Sequence, residues 1–397
     1  MAGVYTGLGA ITALLAVATI ISSTSWLILN NGRPDSPSRA QPETLPTRLD
    51  RTRIAVCLVG AARRFELTGP SILRNVLAQY PQADLFLHSP LDGDTYKFSL
   101  LKDAPRVAAV KIFQPRHIVE TDAHLRLLTP KKSPKGLQGL LQYFNLVEGC
   151  LGLIQSHEVR NNFTYDWIVR TRVDGFWAGP LKPTAFEPNL YTIPEGSRHG
   201  GLNDRLGIGD RKLSTVALSR LTMLKNLAEA RYNNLNSETA FMHQMNLSHI
   251  LVHEHQFRFC IVSDRRYKFP LGRYDTPVAS MGSHGPLSGA KCRPCQCVYA
   301  GPQANQIWAR LDPNRGRVEW RNKGLGLCNA TGDWEKGWEE VFDELAGAVA
   351  AKARRRVVGI SVADCVHDLE ELRGRTSKWE ALDPGKICLI GLGPIST

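Results

Sequence analysis

The sequence predicts an α/β fold, with a mostly parallel sheet flanked by helices, behind an N-terminal transmembrane helix. Three observations carry that prediction. Short apolar runs at Ile54–Val59, Asp84–His88 and Val107–Phe113 alternate with segments of helical periodicity. Strand, helix and strand in that order make a right-handed crossover unit, which lays its strands parallel. Met1 to Gly32 carries no charged residue. Across 397 residues, 43% are hydrophobic and 22% charged, which is ordinary globular composition with enough apolar surface for one large core or two smaller ones. A disordered chain is excluded for most of its length.

Residues 1–30 form the expected membrane anchor, because Ala2 to Leu29 can cross about 30 Å of hydrocarbon as a helix. A cleaved signal peptide is the rival reading. The apolar heart, Leu8 to Ile21, is short, and Ser22, Ser23, Thr24 and Ser25 suit a cleavage region, although no basic segment precedes them. Residues 31–53 hold Pro34, Pro37, Pro42 and Pro46 among polar groups, and are expected to form an extended stem.

The main domain spans residues 54–356. It opens with strand Ile54–Val59, a Gly60–Arg64 turn, and a helix started by Pro70 that carries Ile72, Leu73, Val76, Leu77 and Tyr80. Gly136–His157 reads as a long amphipathic helix, and Tyr165–Asp174 as the fourth strand. Ser214 and Ser237 are expected to cap two further helices, and His249–Val262 to form a strand. A Cys-rich segment, 288–330, precedes a last amphipathic stretch, Trp334–Ala353. The tail, 357–397, contains Cys365 and Cys388 but little periodicity, and no role is expected for it.

Lys and Arg number 49 against 37 Asp and Glu, a net charge of +12 that favours anionic partners. The five arginines between Arg33 and Arg53 would by charge bias hold the following chain in the cytosol. Three glycosylation sequons, at Asn162, Asn246 and Asn329, and nine cysteines argue for an oxidising lumen instead. The expectation is therefore a single-pass type II protein of the Golgi or another secretory-pathway membrane, with a luminal body and no nucleic-acid partner. The cysteines at 292, 295, 297 and 328 imitate zinc spacing, but in a lumen disulfides are expected.

The richest stretch for chemistry is Tyr165–Gly175. As a strand it projects Ile168, Arg170, Arg172 and Asp174 from one face. In an open α/β sheet ligands sit beyond the carboxyl ends of strands. There Arg170 and Arg172 can grip phosphate oxygens, and Asp174 can hold Mg²⁺ or Mn²⁺ on the same diphosphate. The competing reading is an internal Arg–Asp pair that only closes the core. Gly60, Arg63 and Arg64 follow the first strand, where backbone N–H groups and a helix start favour phosphate. The Gly200–Gly209 loop presents Asn203, Asp204 and Arg205, residue types that bond sugar hydroxyls. Glu238 stands at a helix start, either as a general base or as an acid favoured by the helix dipole. Asp92-Gly-Asp94 also matches a metal-binding spacing, and ranks below Asp174. No G-x-S-x-G or HExxH pattern occurs, which argues against the common serine-hydrolase and zinc-protease chemistries.

The strings IAVCLVGAARRFELTGPS, ADLFLHSPLD, GLLQYFNLVEGC, NNFTYDWIVRTRVDGFW, GGLNDRLGIGD, LNSETAF and SGAKCRPC resemble a plant family of membrane-anchored proteins that carry an uncharacterised domain, over roughly Ile54 to Arg356. The order of a Gly–Arg turn, a D-x-F-x-H strand, an R-x-R-x-D strand, an N-D-R loop and an S-E helix start is similar to Golgi glycosyltransferases of the GT-A fold. That resemblance implies a nucleotide-sugar donor and a glycan or cell-wall polysaccharide acceptor. It implies that Gly60 and Arg63 face the nucleotide, Asp174 holds a metal, Asn203 and Asp204 meet a sugar, and Glu238 is a candidate base. Where the GT-A pattern has D-x-D, this chain has Arg172-Val-Asp174. Either Arg172 replaces the cation, or the site is inactive. A non-catalytic glycan-binding or scaffold protein on the same fold is the alternative.

Overall fold

The computed structural model describes residues 49–129, 135–269, 271, 275–311 and 324–393. The expected anchor and all but the end of the stem lie outside them, and among the described residues no helix is long and apolar enough to cross a membrane. Among the described residues fourteen strands form two sheets: β1 Ile54–Val59, β2 Asp84–Pro90, β3 Val107–Phe113, β4 Trp167–Arg172, β5 Gly175–Trp177, β6 Tyr191–Pro194, β7 Leu206–Asp210, β8 Val252–His255, β9 Phe259–Val262, β10 Val278–Ser280, β11 Ala290–Arg293, β12 Tyr299–Ala300, β13 Gly326–Leu327 and β14 Thr376–Glu380.

The larger sheet runs in the order β14-β3-β2-β1-β4-β7-β6-β8 and the smaller in the order β12-β13-β10-β11-β9-β5. From β14 to β4 every pairing is parallel, as expected from the crossover units. Beyond β4 the expectation fails. β7 pairs antiparallel with β4 and with β6, β8 pairs parallel with β6, and the smaller sheet mixes both senses. The architecture is therefore α/β with mixed sheets, not a mostly parallel one. A parallel pair needs a long crossover, usually a helix. Between β4 and β7 the chain has β5, a short 3₁₀ turn, Pro183–Ala185, and β6, but no crossover helix, and β7 lies antiparallel to β4.

Central strand β1 is buried along its whole length, as a parallel strand covered on both faces must be. Its residues alternate between two cores: Ile54, Val56 and Leu58 join one, while Ala55, Cys57 and Val59 join the other under helix Gly136–Asn161. A Cys57–Cys150 disulfide ties that helix to β1. Cys260–Cys292, Cys295–Cys328 and Cys365–Cys388 are also bonded, which fits a protein of the secretory pathway. Cys297 is free.

The tail is part of the main body. Its helix Val362–Arg375 buries Cys365, Leu369 and Leu372, and β14 extends the larger sheet beyond β3. Local boundaries shift for physical reasons. The first helix begins at Phe65 with Pro70 inside it, and continues as a π turn, Leu73–Leu77, just after the missing proline N–H interrupts the ladder. Asp210, not Ser214, caps helix Arg211–Leu218, because its carboxylate accepts from Leu213 N at 2.8 Å. Asn236, not Ser237, caps helix Ser237–Leu247 through a capping box with Thr239.

The chain passes from the larger sheet to the smaller at or within two expected strands. Tyr165–Asp174 yields β4 alone, and β5 of the smaller sheet begins just past its end at Gly175. His249–Val262 yields β8 and β9. The expected Trp334–Ala353 helix is two helices, Trp338–Ala346 and Ala348–Val358, broken at Gly347 with φ 81°.

Candidate functional site

The carboxyl ends of β1 to β4 and the edge of the smaller sheet meet around Arg172. Ile168 packs in the core beneath helix Gly136–Asn161, and the alternation of β4 then brings Arg170 and Arg172 out on that same side. After β1, Gly60 takes φ +135°, and a Cβ there would lie 3.2 Å from Val173 Cβ. Only glycine lets this turn pass so close to β4.

Two lobes of a cleft share Arg63, Gly139, Tyr143 and Arg172. The first, about 430 Å³, has an apolar wall that includes Val59, Leu91, Phe113 and Leu146, and polar groups at Asp92, Gln142, Arg172 and Asp174. The second, about 620 Å³, is lined by His199, Asp204, Arg205, Glu238 and Lys291 among others. A small niche of about 60 Å³ joins Arg63 and Arg172 to Asp264, Arg265 and Lys291.

Arg172 grips Asp174 bidentately, with Nε to Oδ1 and Nη2 to Oδ2 both at 2.7 Å. Burial alone would push the Asp174 carboxyl up. The Arg172 guanidinium outweighs burial and holds it well below the usual carboxylate range.

Beneath the cleft floor runs a buried polar chain. Arg170 is 3% exposed and donates from Nη2 to Tyr143 Oη at 2.9 Å; Tyr143 Oη donates to the Asp204 carbonyl at 3.1 Å. Arg220 Nη2 meets Asp204 Oδ2 at 3.3 Å and donates to the Ser237 carbonyl at 2.9 Å, with its guanidinium over the Phe241 ring. This chain links β4 to the helix that begins at Ser237. Burial would raise the Asp204 carboxyl, but Arg220, Arg170 and Arg205 hold it below its ordinary value.

Glu238 has the opposite environment. Ser237 Oγ donates to its Oε2 at 2.7 Å, and Arg205 Nη2 lies 4.0 Å from Oε1. Burial, reinforced by the Asp204 charge, pushes its carboxyl up against the pull of Arg205. Leu202 N donates to the Glu238 carbonyl at 3.1 Å, and a Cβ on Gly201 would fall 2.1 Å from that oxygen. Gly201→Ala is therefore expected to shift this helix start and destabilise the fold by about 1–3 kcal/mol, read from denaturant midpoints. An unchanged midpoint would show that the contact relaxes freely.

Six of the sequence-predicted site residues line the cleft: Gly60, Arg63, Arg172, Asp174, Asp204 and Glu238. Three have different placements. Asn203 is fully buried and donates to the Ser288 carbonyl at 3.0 Å, so it braces the loop that leads into β11. Arg64 reaches only the small niche, where it pairs with Asp264 at 2.8 Å and lies over the Trp334 ring. Arg170 sits behind Tyr143, away from the two lobes.

Sequence reasoning missed Tyr143 and Lys291. Tyr143 lies beside the apolar stripe of a helix read for its hydrophobic face. Lys291 is a lone charge inside a Cys-rich strand, an oddity that could have flagged it. Asp92, ranked low, lines the first lobe together with Arg172 and Asp174. Its carboxyl is pushed up by burial, which outweighs bonds from Thr95 and Asp94.

In this structure Asp174 has no oxygen free for a divalent cation. Both of its oxygens are occupied by Arg172, positive groups surround it, and no set of three His, Cys, Asp or Glu side chains that could hold a metal occurs among the described residues.

The chain belongs to the family described as a domain of unknown function (DUF7796), whose model matches residues 49–394. No curated protein matches it. Among solved structures, the crystal structure of mouse xyloside xylosyltransferase 1 in its apo form is similar at 12% identity and a TM-score of 0.31, over 52% of this chain and 85% of that one. A likeness of that size carries no inference about chemistry.

Proposed function

We propose that this protein is a glycosyltransferase that moves a sugar from a nucleoside-diphosphate donor to a glycan or polysaccharide acceptor, in the lumen of a Golgi or other secretory compartment and behind an N-terminal anchor. One observation carries the reading: an apolar lobe at the strand ends opens onto Arg63, Arg172 and Lys291, and then onto two carboxylates whose environments push them in opposite directions. The nucleoside fits the apolar lobe. Its diphosphate meets the cations at the junction, and the sugar and acceptor occupy the second lobe.

Asp204, neutralised by Arg220, stays ionised and raises Glu238. Of the two carboxylates Glu238 is the more basic, which makes it the general base. The acceptor hydroxyl attacks the anomeric carbon and gives its proton to Glu238, while the bond to the diphosphate breaks. The leaving diphosphate gathers negative charge beside Arg63, Arg172 and Lys291, where fixed cations lower the barrier without reorganising. The occupation of both Asp174 oxygens by Arg172 supports metal-independent transfer, with these side chains in the metal's place.

A thermal-shift panel of UDP- and GDP-sugars tests the reading. At about 100 times Kd the right donor adds roughly 2.7 kcal/mol of stability. That shift is expected to be the same in EDTA as in Mn²⁺. A shift that requires Mn²⁺ would overturn metal independence. No shift with any donor would favour the non-catalytic glycan-binding reading, for which the closed Arg172–Asp174 pair is purely structural.

A further inference from the structure

We propose that the Lys291 ammonium is a ligand of the donor diphosphate and that it acquires its proton as the diphosphate binds. The proposal rests on the reading of the cleft as a nucleotide-sugar site and assigns a further residue to it.

Lys291 lies in β11, flanked by β9 and β10. Its neighbours Ala290 and Cys292 turn into the core of the smaller sheet, and Cys292 is bonded to Cys260. Alternation therefore sends Lys291 to the other side, where it lines both the small niche and the second lobe. The strand that presents it is well anchored. Asn203 and Arg205 hold the carbonyls of Ser288 and Gly289 just before β11, at 3.0 and 3.1 Å, and Gly289 N donates to the Phe259 carbonyl at 2.7 Å.

The charged groups that face Lys291 come from several elements. Arg63 follows β1, Arg172 ends β4 with Asp174 two residues on, Asp204 and Arg205 precede β7, Asp264, Arg265, Arg266 and Lys268 follow β9, Asp275 precedes β10, and Glu238 starts its helix. Of these anions, Asp174 is committed to Arg172, Asp204 to Arg220, Asp264 to Arg64, and Glu238 to Ser237 with Arg205 nearby. Lys291 itself makes no ion pair within 4.0 Å among the described residues. In the empty cleft a charged ammonium would be desolvated and repelled by Arg205 and Arg172, so its pKa is pushed well below the ordinary lysine value despite Asp174. A diphosphate reverses this balance by supplying the missing counter-charge. A proton then passes from solvent to the Nζ lone pair, and no other bond changes.

The test is calorimetric titration of the protein with UDP- and GDP-sugars near pH 8, in buffers of different ionisation enthalpy. The diphosphate diester of such a donor has no group that titrates in this range, so proton uptake on binding belongs to the protein. Uptake is expected in the native protein and in Glu238→Gln, which separates Lys291 from the nearby carboxyl. Lys291→Met should weaken binding by roughly 10- to 100-fold and abolish uptake. Lys291→Arg stays charged throughout, so it should bind without uptake. Its affinity should also stay flat over the pH range in which native affinity falls as pH rises and Lys291 loses its proton.

Donor binding without uptake by the native protein, or native uptake in Lys291→Met or Lys291→Arg, would overturn this proposal alone. Failure of the native protein to bind any donor would overturn the reading of the cleft, and this proposal with it.

Discussion

Glu238→Gln is expected to lower kcat by roughly 10²- to 10⁴-fold, the range for loss of a general base. Donor affinity should change little, because the amide keeps the shape and can still accept from Ser237 Oγ. The pH profile provides the sharper check. Burial and the Asp204 charge raise the Glu238 carboxyl, and only its deprotonated form can take the acceptor's proton. The native rate should therefore rise with pH through a range above that of an ordinary glutamate, and this limb should vanish in Glu238→Gln. A variant with the native rate and the native limb would remove Glu238 from catalysis and leave its raised pKa as a property of a buried helix start.

Arg172→Ala is expected to act on both rate and stability. It removes a fixed cation from the leaving group, for which a loss of about 10²- to 10³-fold in kcat is typical of one electrostatic contact. It also strands Asp174, 12% exposed at its side chain and otherwise bonded at both oxygens, as an uncompensated charge. Breaking one side of a buried pair destabilises by up to about 3–5 kcal/mol. The double variant Arg172→Ala/Asp174→Ala should recover much of that stability and none of the rate. Urea melts and steady-state kinetics on the single and double variants separate the two effects. If the double variant regained both, Arg172 would be part of the scaffold only.

Much of the parallel half of the fold is legible in the sequence. β1 and β3 fall on their expected residues because central parallel strands are continuous apolar runs bounded by turns. The mixed half is not legible, because β5 to β9 are short and the chain changes sheet between β4 and β5 and between β8 and β9, which no local periodicity records. The helix caps went wrong where two polar residues competed: Asp210 stands four residues before Ser214, and Asn236 immediately before Ser237. At the site, the R-x-R-x-D strand identified the junction because charge on a central strand demands an explanation. It could not reveal that Arg170 would be consumed by Tyr143, or that Lys291 would arrive from another sheet, since both are contacts between elements remote in sequence.

β4 and β5 are one run of chain, anchored in one sheet by Trp167 and Val169 and in the other by Phe176, with Arg172 and Asp174 at the crossing. A deletion or insertion of one residue between them cannot be absorbed at either end, because a slip of one position in a strand turns each side chain to the opposite side. Such a change in β4 would drive Arg170 and Arg172 into the layer now filled by Trp167 and Val169. Substitutions along this run are tolerable one by one. Its length is not, and alterations of chain length here should abolish folding before they alter chemistry.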